Sequence, residues 1–328
     1  RKARLTKELA LAAPMKDGLF PAVIGTENEI VEVDGQEVRR PRGWDQARWS
    51  NSDRTPVDRG ITPDWFHVLD SSWTALLMLR WHQELEKDAR LLEYARTYGE
   101  RLLMLQDAEG FFPGWLHPET NAPGPVMNQT PESSMSVTFL LKLAEVTGET
   151  KFREAAIRAL DAVVAGVVPQ GLWLDFETYW SCCGWGREKY LGRKIERNAM
   201  HKQNTFSMFW TAEALLAAYR ATGRAPYLEW GRRTLDELSM AQQVWQPPFI
   251  YVPALGGFGV MNADGEWNDS RETLFAELFL DYHKETGEQA YLERGIAALK
   301  SGFVMMYCPE NPVVKAMWEK VYPWFGPE

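Results

Sequence analysis

The sequence predicts an all-α fold of antiparallel helix pairs, set as an inner and an outer row. Three features predict it: a helix-turn-helix joint that recurs, a contrast in composition across each joint, and long connectors between one pair and the next. The joints read Glu145-Val-Thr-Gly-Glu-Thr-Lys-Phe152, Arg220-Ala-Thr-Gly-Arg-Ala-Pro-Tyr227 and Lys284-Glu-Thr-Gly-Glu-Gln-Ala-Tyr291. In each, a glycine supplies the positive φ that ends a helix, and an aromatic four residues on restarts an amphipathic one. A fourth joint, Glu84 to Leu91, lies upstream without the glycine.

Taken in chain order, residues 3–13 read as the tail of an outer helix whose inner partner is missing. Asp34-Gly35, between short alternating runs in Ile30–Val38, predicts a β-hairpin. The helices before the joints (Trp73–Trp81, Val137–Ala144, Phe209–Ala218, Leu274–Leu280) are rich in apolar and small residues and read as inner. Those after, such as Phe152–Leu160 and Tyr291–Leu299, carry charge at helical spacing and read as outer. Lys315–Tyr322 reads as the opening of another helix, and with the lone outer tail at the start the expectation is a single domain over 1–328 that is a fragment of a longer chain. A glycine before paired large apolar residues recurs at Asp17–Pro21, Glu109–Pro113 and Gln170–Leu174. Connectors at roughly 15–62, 107–130, 168–203 and 244–269 are far longer than the joints, so they gather on one rim, and long loops in a compact domain carry function.

The net charge of −9 argues against a nucleic-acid partner, and no apolar run is long enough to span a bilayer. Three cysteines make no disulfide framework, and the first residues lack the apolar core of a signal peptide, which leaves the compartment open. Fifteen tryptophans suit stacking on sugar rings or simple core filling.

Inner and outer helix rows, Thr-Gly joints and aromatic loops on one rim resemble the (α/α)-toroid, or six-hairpin glycosidase-like, superfamily of carbohydrate-active enzymes. The resemblance spans nearly the whole chain and implies an oligosaccharide or polysaccharide substrate. It includes hydrolases, lyases and epimerases, so it leaves the reaction open.

Glycoside hydrolysis needs two carboxyl groups. Thr62-Pro63-Asp64 reads as a helix start, which puts Asp70 two turns inside an apolar helix, with His67 and Trp73 on the same face. Glu132 follows Thr130-Pro131 in the same way, and Asp269-Ser-Arg-Glu272 fits a capping box; helix capping competes with function at both. Asp175 to Gly186 packs two acids, four aromatics and Cys182-Cys183 together, and an extended segment would point Asp175 and Glu177 the same way. The expected catalytic set is Asp70 with Glu132 or Glu177.

Expected substrate contacts are His67, Trp73, Trp115, His117, Asn128, Asp175, Tyr179, Trp180, Arg187, His201, Gln203, Asn204 and Asp269. Arg187 to Lys202 holds six basic residues against two acids, which suits a uronate or other anionic sugar, or else pairing with the protein's own acids. An adjacent cysteine pair with a glutamate occurs in some toroid arabinofuranosidases. Here no Cys-x-x-Cys or His-x-x-x-His spacing supports a metal, and neither metal nor cofactor is expected. β-Elimination, with Tyr179, Tyr190 or His201 as base, is the rival chemistry, and a noncatalytic sugar-binding module the rival class.

Overall fold

The structure, a computed structural model, describes residues 2–21, 24–44, 59–62, 64–179, 193–196, 198–249, 254–262, 267–304, 310 and 312–321. Four antiparallel pairs follow one another: α2 (Val68–Glu84) with α3 (Ala89–Leu103), α4 (Ser133–Thr147) with α5 (Thr150–Gly166), α7 (Thr205–Thr222) with α8 (Ala225–Ser239), and α9 (Phe275–Thr286) with α10 (Gln289–Val304). Before them lie α1 (Lys2–Leu11) and a two-stranded ribbon, β1 (Gly25–Val33) with β2 (Gln36–Gly43), which turns at Asp34-Gly35 and extends past the expected 30–38. Between the pairs lie β3 (Phe66–His67), β4 (Trp115–Leu116) and the single turn α6 (Phe176–Tyr179); α11 (Pro312–Val321) follows them.

The Thr-Gly joints are built alike. Gly148, Gly223 and Gly287 take φ of 74°, 68° and 71°, and each donates its N–H to the carbonyl four residues earlier. The threonine before each glycine explains its recurrence. Thr147, Thr222 and Thr286 each donate their hydroxyl to the carbonyl four residues back at 2.7 Å. Each then accepts the N–H two residues on, at 3.2, 3.3 and 3.2 Å. One side chain thus satisfies a group at the end of one helix and another at the start of the next. The fourth joint uses Asp88 instead, whose carboxylate accepts the Arg90 N–H at 3.1 Å and opens α3.

Helices α2, α4, α7 and α9 lie side by side as the inner row. Twelve of the eighteen residues of α7 and ten of the fifteen of α4 are buried, against five of fifteen in α3 and five of seventeen in α5, as the composition predicts. Stacked Phe209 and Phe275, with ring centroids 4.9 Å apart, carry the core from α7 into α9. α9 departs from the inner-row expectation: only Phe275, Leu278, Phe279 and Tyr282 are buried, and Leu280 is exposed. Its main inner-row neighbour among the described residues is α7.

The long connectors meet at one end of the row. Phe66 and His67 pair with Leu116 and Trp115, joining the first connector to the second. The Phe176 N–H reaches Glu132, joining the third to the second, and Asn204 pairs with Met261, joining the third to the fourth. No helix among the described residues is long and apolar enough to cross a membrane.

Candidate active site

At that rim a cavity of about 690 Å3 opens between α2, α6, α7, α9 and α10. Asp70, Glu177 and Arg271 line its polar part, and Trp73, Phe176, Phe206 and Trp210 form an aromatic wall. The Trp73 and Trp210 rings meet edge to face at 6.0 Å.

Asp70 comes to the cavity by a route different from the expected one. α2 begins at Val68, with extended His67 before it, so Asp70 sits in the first turn and Asp64 lies outside the helix. Pairing with β4 holds Phe66 and His67 extended, and the Val68 N–H donates to the Gly114 carbonyl, which postpones the helix start. His67 Nδ1 lies 2.8 Å from Asp70 Oδ2, and its Nε2 lies 3.9 Å from Glu132 Oε2. The imidazole is buried, stacked on Trp115 at 4.2 Å and met edge-on by Phe176. Burial alone would lower its pKa, but the Asp70 charge and hydrogen bond, with Glu132 behind, outweigh it and raise the imidazole above its ordinary value.

Glu132 precedes the first residue of α4 and caps no N–H of that helix. Its Oε1 instead accepts the Phe176 N–H at 2.7 Å. The side chain is buried, which raises its carboxyl above the usual range against the opposing pull of His67 and of the Phe176 N–H.

Asp175 and Glu177 do not lie on an extended strand. Asp175 Oδ1 accepts the N–H groups of Glu177 and Thr178, both at 3.0 Å, and the Thr178 hydroxyl accepts the Asp175 N–H at 2.7 Å. This reciprocal Asp-x-x-Thr box folds α6 into a helical turn and sends the two acids apart. Asp175 is fully buried, accepts from the Ser207 hydroxyl, and has its carboxyl pushed well up by burial and by the charges of Glu177 and Glu132. Glu177 turns to the cavity, where Oε2 accepts Asn204 Nδ2 at 3.1 Å and Oε1 accepts Arg271 Nη1 at 2.8 Å.

Asp269 and Glu272 form only half a capping box. Asp269 accepts the Arg271 N–H at 2.8 Å and also holds the Arg271 guanidinium at 3.0 Å, whereas Glu272 turns inward to the Thr205 hydroxyl at 2.7 Å. Arg271, which the sequence reading passed over, lies 5.4 Å from the centroid of the Phe206 ring and is the cation of the cavity wall. Its one signal was its place between the two acids of that box.

The other expected contacts divide. Trp73 lines the cavity, while Trp115 is fully buried, stacked beneath His67, and offers no face to the cavity. His117 accepts the Glu119 and Thr120 N–H groups within a turn and packs on Trp65. Asn128 donates to the Gly124 carbonyl. His201 bridges to Lys194, and Gln203 ties down Gly171, Glu237 and Asn262; His117, Asn128, His201 and Gln203 make these loop contacts and do not line the cavity. Asn204 opens α7 and holds Glu177. Tyr179 closes α6, and its side chain, with Trp180, Cys182, Cys183, Arg187, Tyr190 and Cys308, lies outside the described residues. Of the basic run, Lys202 is buried. Among the described residues the cavity is lined by the acids Asp70, Glu177 and Glu277 and by one cation, Arg271.

No family model and no curated protein matches the chain. Solved structures do. A D-mannose isomerase aligns over 94% of this chain and 72% of its own, with 12% identity and a TM-score of 0.52. A sugar epimerase from a ruminal bacterium covers 73% of this chain, with 9% identity and a TM-score of 0.52, and the Lin0763 protein from Listeria innocua covers 71%, with 16% identity and a TM-score of 0.50. The shared architecture is the double row of helix hairpins described above. The fold is an (α/α)-toroid. This chain spans 60% of the length of the ruminal epimerase and of the Listeria protein, and four complete hairpins lie among its described residues. The toroid scaffold accounts for the cavity's position, at the end of the inner row where the connectors collect.

Proposed function

We propose that the chain is a carbohydrate-active enzyme that hydrolyses a glycosidic bond, with Asp70 as proton donor and Glu177 as its anionic partner. One observation carries the reading: two carboxyl groups, from α2 and α6, open onto one cavity beside a wall of tryptophan and phenylalanine. A sugar ring lies well on such a wall, its C–H face on the indole and its hydroxyls toward the acids.

The two acids have different partners. Both oxygens of Glu177 accept hydrogen bonds, one of them from a guanidinium. Asp70 is bonded to an imidazole that can share a proton with it. In this reading Glu132 stands behind the reacting pair. Asp70 protonates the leaving oxygen, and Glu177 stabilises the positive charge on the sugar and takes a proton from the attacking water.

The test is a panel of neutral and uronic-acid oligosaccharides, with wild type compared with Asp70→Asn. New reducing ends without the absorbance of an unsaturated uronate are expected, with turnover falling 10²-fold or more in the variant, on the order of an acid catalyst's contribution. Undiminished turnover in Asp70→Asn removes the assignment, the absorbance points to β-elimination, and binding without turnover points to a noncatalytic module.

A second reading has its own support. The Asp70–His67 pair is a single proton shuttle at the cavity floor, which suits proton transfer next to the carbonyl of an open-chain sugar, as in isomerisation or epimerisation. Free aldoses incubated in deuterated water separate the two, because only this reaction places deuterium on a sugar carbon.

A further inference from the structure

His67 does not itself line the cavity, yet it is buried and packed against two residues that do, Asp70 and Phe176. Its ring is fixed on three sides: by Trp115 on its face, by Phe176 at its edge, and by β3–β4 pairing through its backbone. Its two nitrogens point at two carboxyl groups from different elements, Asp70 of α2 and Glu132 at the start of α4. Asp175, just before α6, is buried near enough to both Glu132 and Glu177 for their charges to push its carboxyl up, and Arg271 lies beyond Glu177.

We propose that His67 is the positioning residue of this site, acting through Asp70 by sharing with it the proton that the leaving oxygen needs. This rests on the hydrolytic reading above. With an acid at each nitrogen, imidazolium is the favoured resting form, and its Nδ1–H donates to Asp70 Oδ2. Asp70 rests as a carboxylate beside the imidazolium, and as the glycosidic C–O bond breaks the one imidazolium proton passes through Asp70 to the leaving oxygen. Asp70 ends as a carboxylate and His67 as neutral imidazole. Water adds to the sugar carbon and yields its proton to Glu177, from which solvent returns one proton to the pair. Glu132 keeps its place throughout and supplies the second acidic neighbour that makes the ring a cation. The raised pKa of His67 agrees with this charge state.

The direction in pH follows. The pair holds its proton below the raised imidazole pKa and loses it above, so hydrolysis falls on the alkaline side as His67 becomes neutral.

Two measurements on the intact chain test this. In the first, the ring nitrogens of His67 are followed by 15N NMR from pH 5 to 9. Wild type is expected to titrate above the ordinary histidine value, and Asp70→Asn to titrate lower. Titration at or below the ordinary value in wild type overturns the proposal, whether or not a substrate has been found. In the second, His67→Asn keeps a donor near Asp70 Oδ2 but carries no titrating proton. Its kcat is expected to fall tenfold or more with KM little changed, and the alkaline limb of its pH profile to move to lower pH, because a lone carboxyl surrenders its proton sooner than imidazolium. A uniform loss of kcat with the alkaline limb in place means that His67 only packs, and overturns the proposal. If no oligosaccharide is turned over by wild type, the hydrolytic reading fails by itself, and the NMR titration still decides the charge of His67.

Discussion

Asn204 donates its Nδ2 to Glu177 Oε2 at 3.1 Å while its Oδ1 accepts the Phe206 N–H at 2.7 Å, so one amide both opens α7 and holds a site carboxylate. These two duties can be separated by substitution. Asn204→Asp keeps an equally good helix cap but sets a second carboxylate against Glu177. We expect turnover to fall at least tenfold with a stability loss of about 1–2 kcal/mol, since like charges at this depth repel. Asn204→Ala loses the cap and the Glu177 contact together. Urea melts beside initial rates distinguish the two variants.

Arg271 is the cation opposite Glu177, and Glu177 is almost wholly buried. Arg271→Met leaves that carboxylate without its charge partner. The guanidinium is 44% exposed, so the cost is discounted from that of a deeply buried pair to about 1–3 kcal/mol. The double variant with Glu177→Gln is expected to recover most of this, as a double-mutant cycle in urea would read. A double variant no more stable than Arg271→Met alone counts against the pairing as the cause.

Thr147, Thr222 and Thr286 make the same pair of hydrogen bonds at three separate joints. Threonine to valine keeps the shape and removes both. Each substitution is expected to cost about 1 kcal/mol, and the three to add, because the joints share no partners. Thermal unfolding of the single and triple variants checks it.

His67, Glu132 and Asp175 all have folded-state pKa values above their ordinary ones, for the causes given above. The folded chain therefore binds more protons than the unfolded chain between the carboxylate range and the raised imidazole value, and stability falls as pH rises through that window. The lowered carboxyls of Glu8, Asp88 and Glu149 act in the opposite sense, but below about pH 5, and the lowered imidazole of His201 opposes the trend within the window as one group against three. The urea midpoint is expected to be lower at pH 8 than at pH 5, and Glu132→Gln is expected to flatten the difference. A midpoint that rises with pH across this window refutes the charge assignment.

The helix pairs were legible in the sequence because their signals are local: a threonine and a glycine end one helix and begin the next within a few residues. The grouping of connectors also followed, since long and short links alternate. What could not be read was anything set by partners far along the chain. α2 starts at Val68 because His67 pairs with Trp115, 48 residues on. Arg271 matters through Glu177, 94 residues earlier. Asp175 and Glu177 depart from the expected extended conformation for the opposite reason, since a short hydrogen-bonded box folds them into a helical turn. Trp73 and Trp115 are the same residue type, and only packing makes one a wall and the other a foundation.

The β1–β2 ribbon turns through Asp34 and Gly35, with φ of 53° and 79°, and its tip is exposed. The strand that delivers His67 and Asp70 is pinned separately, by Trp115, Leu116 and Gly114. Added residues at the tip are thus insulated from the acids by their own anchor, and lengthening such a loop costs only slowly growing closure entropy. That tip is a natural graft point for a tether or reporter peptide on this scaffold.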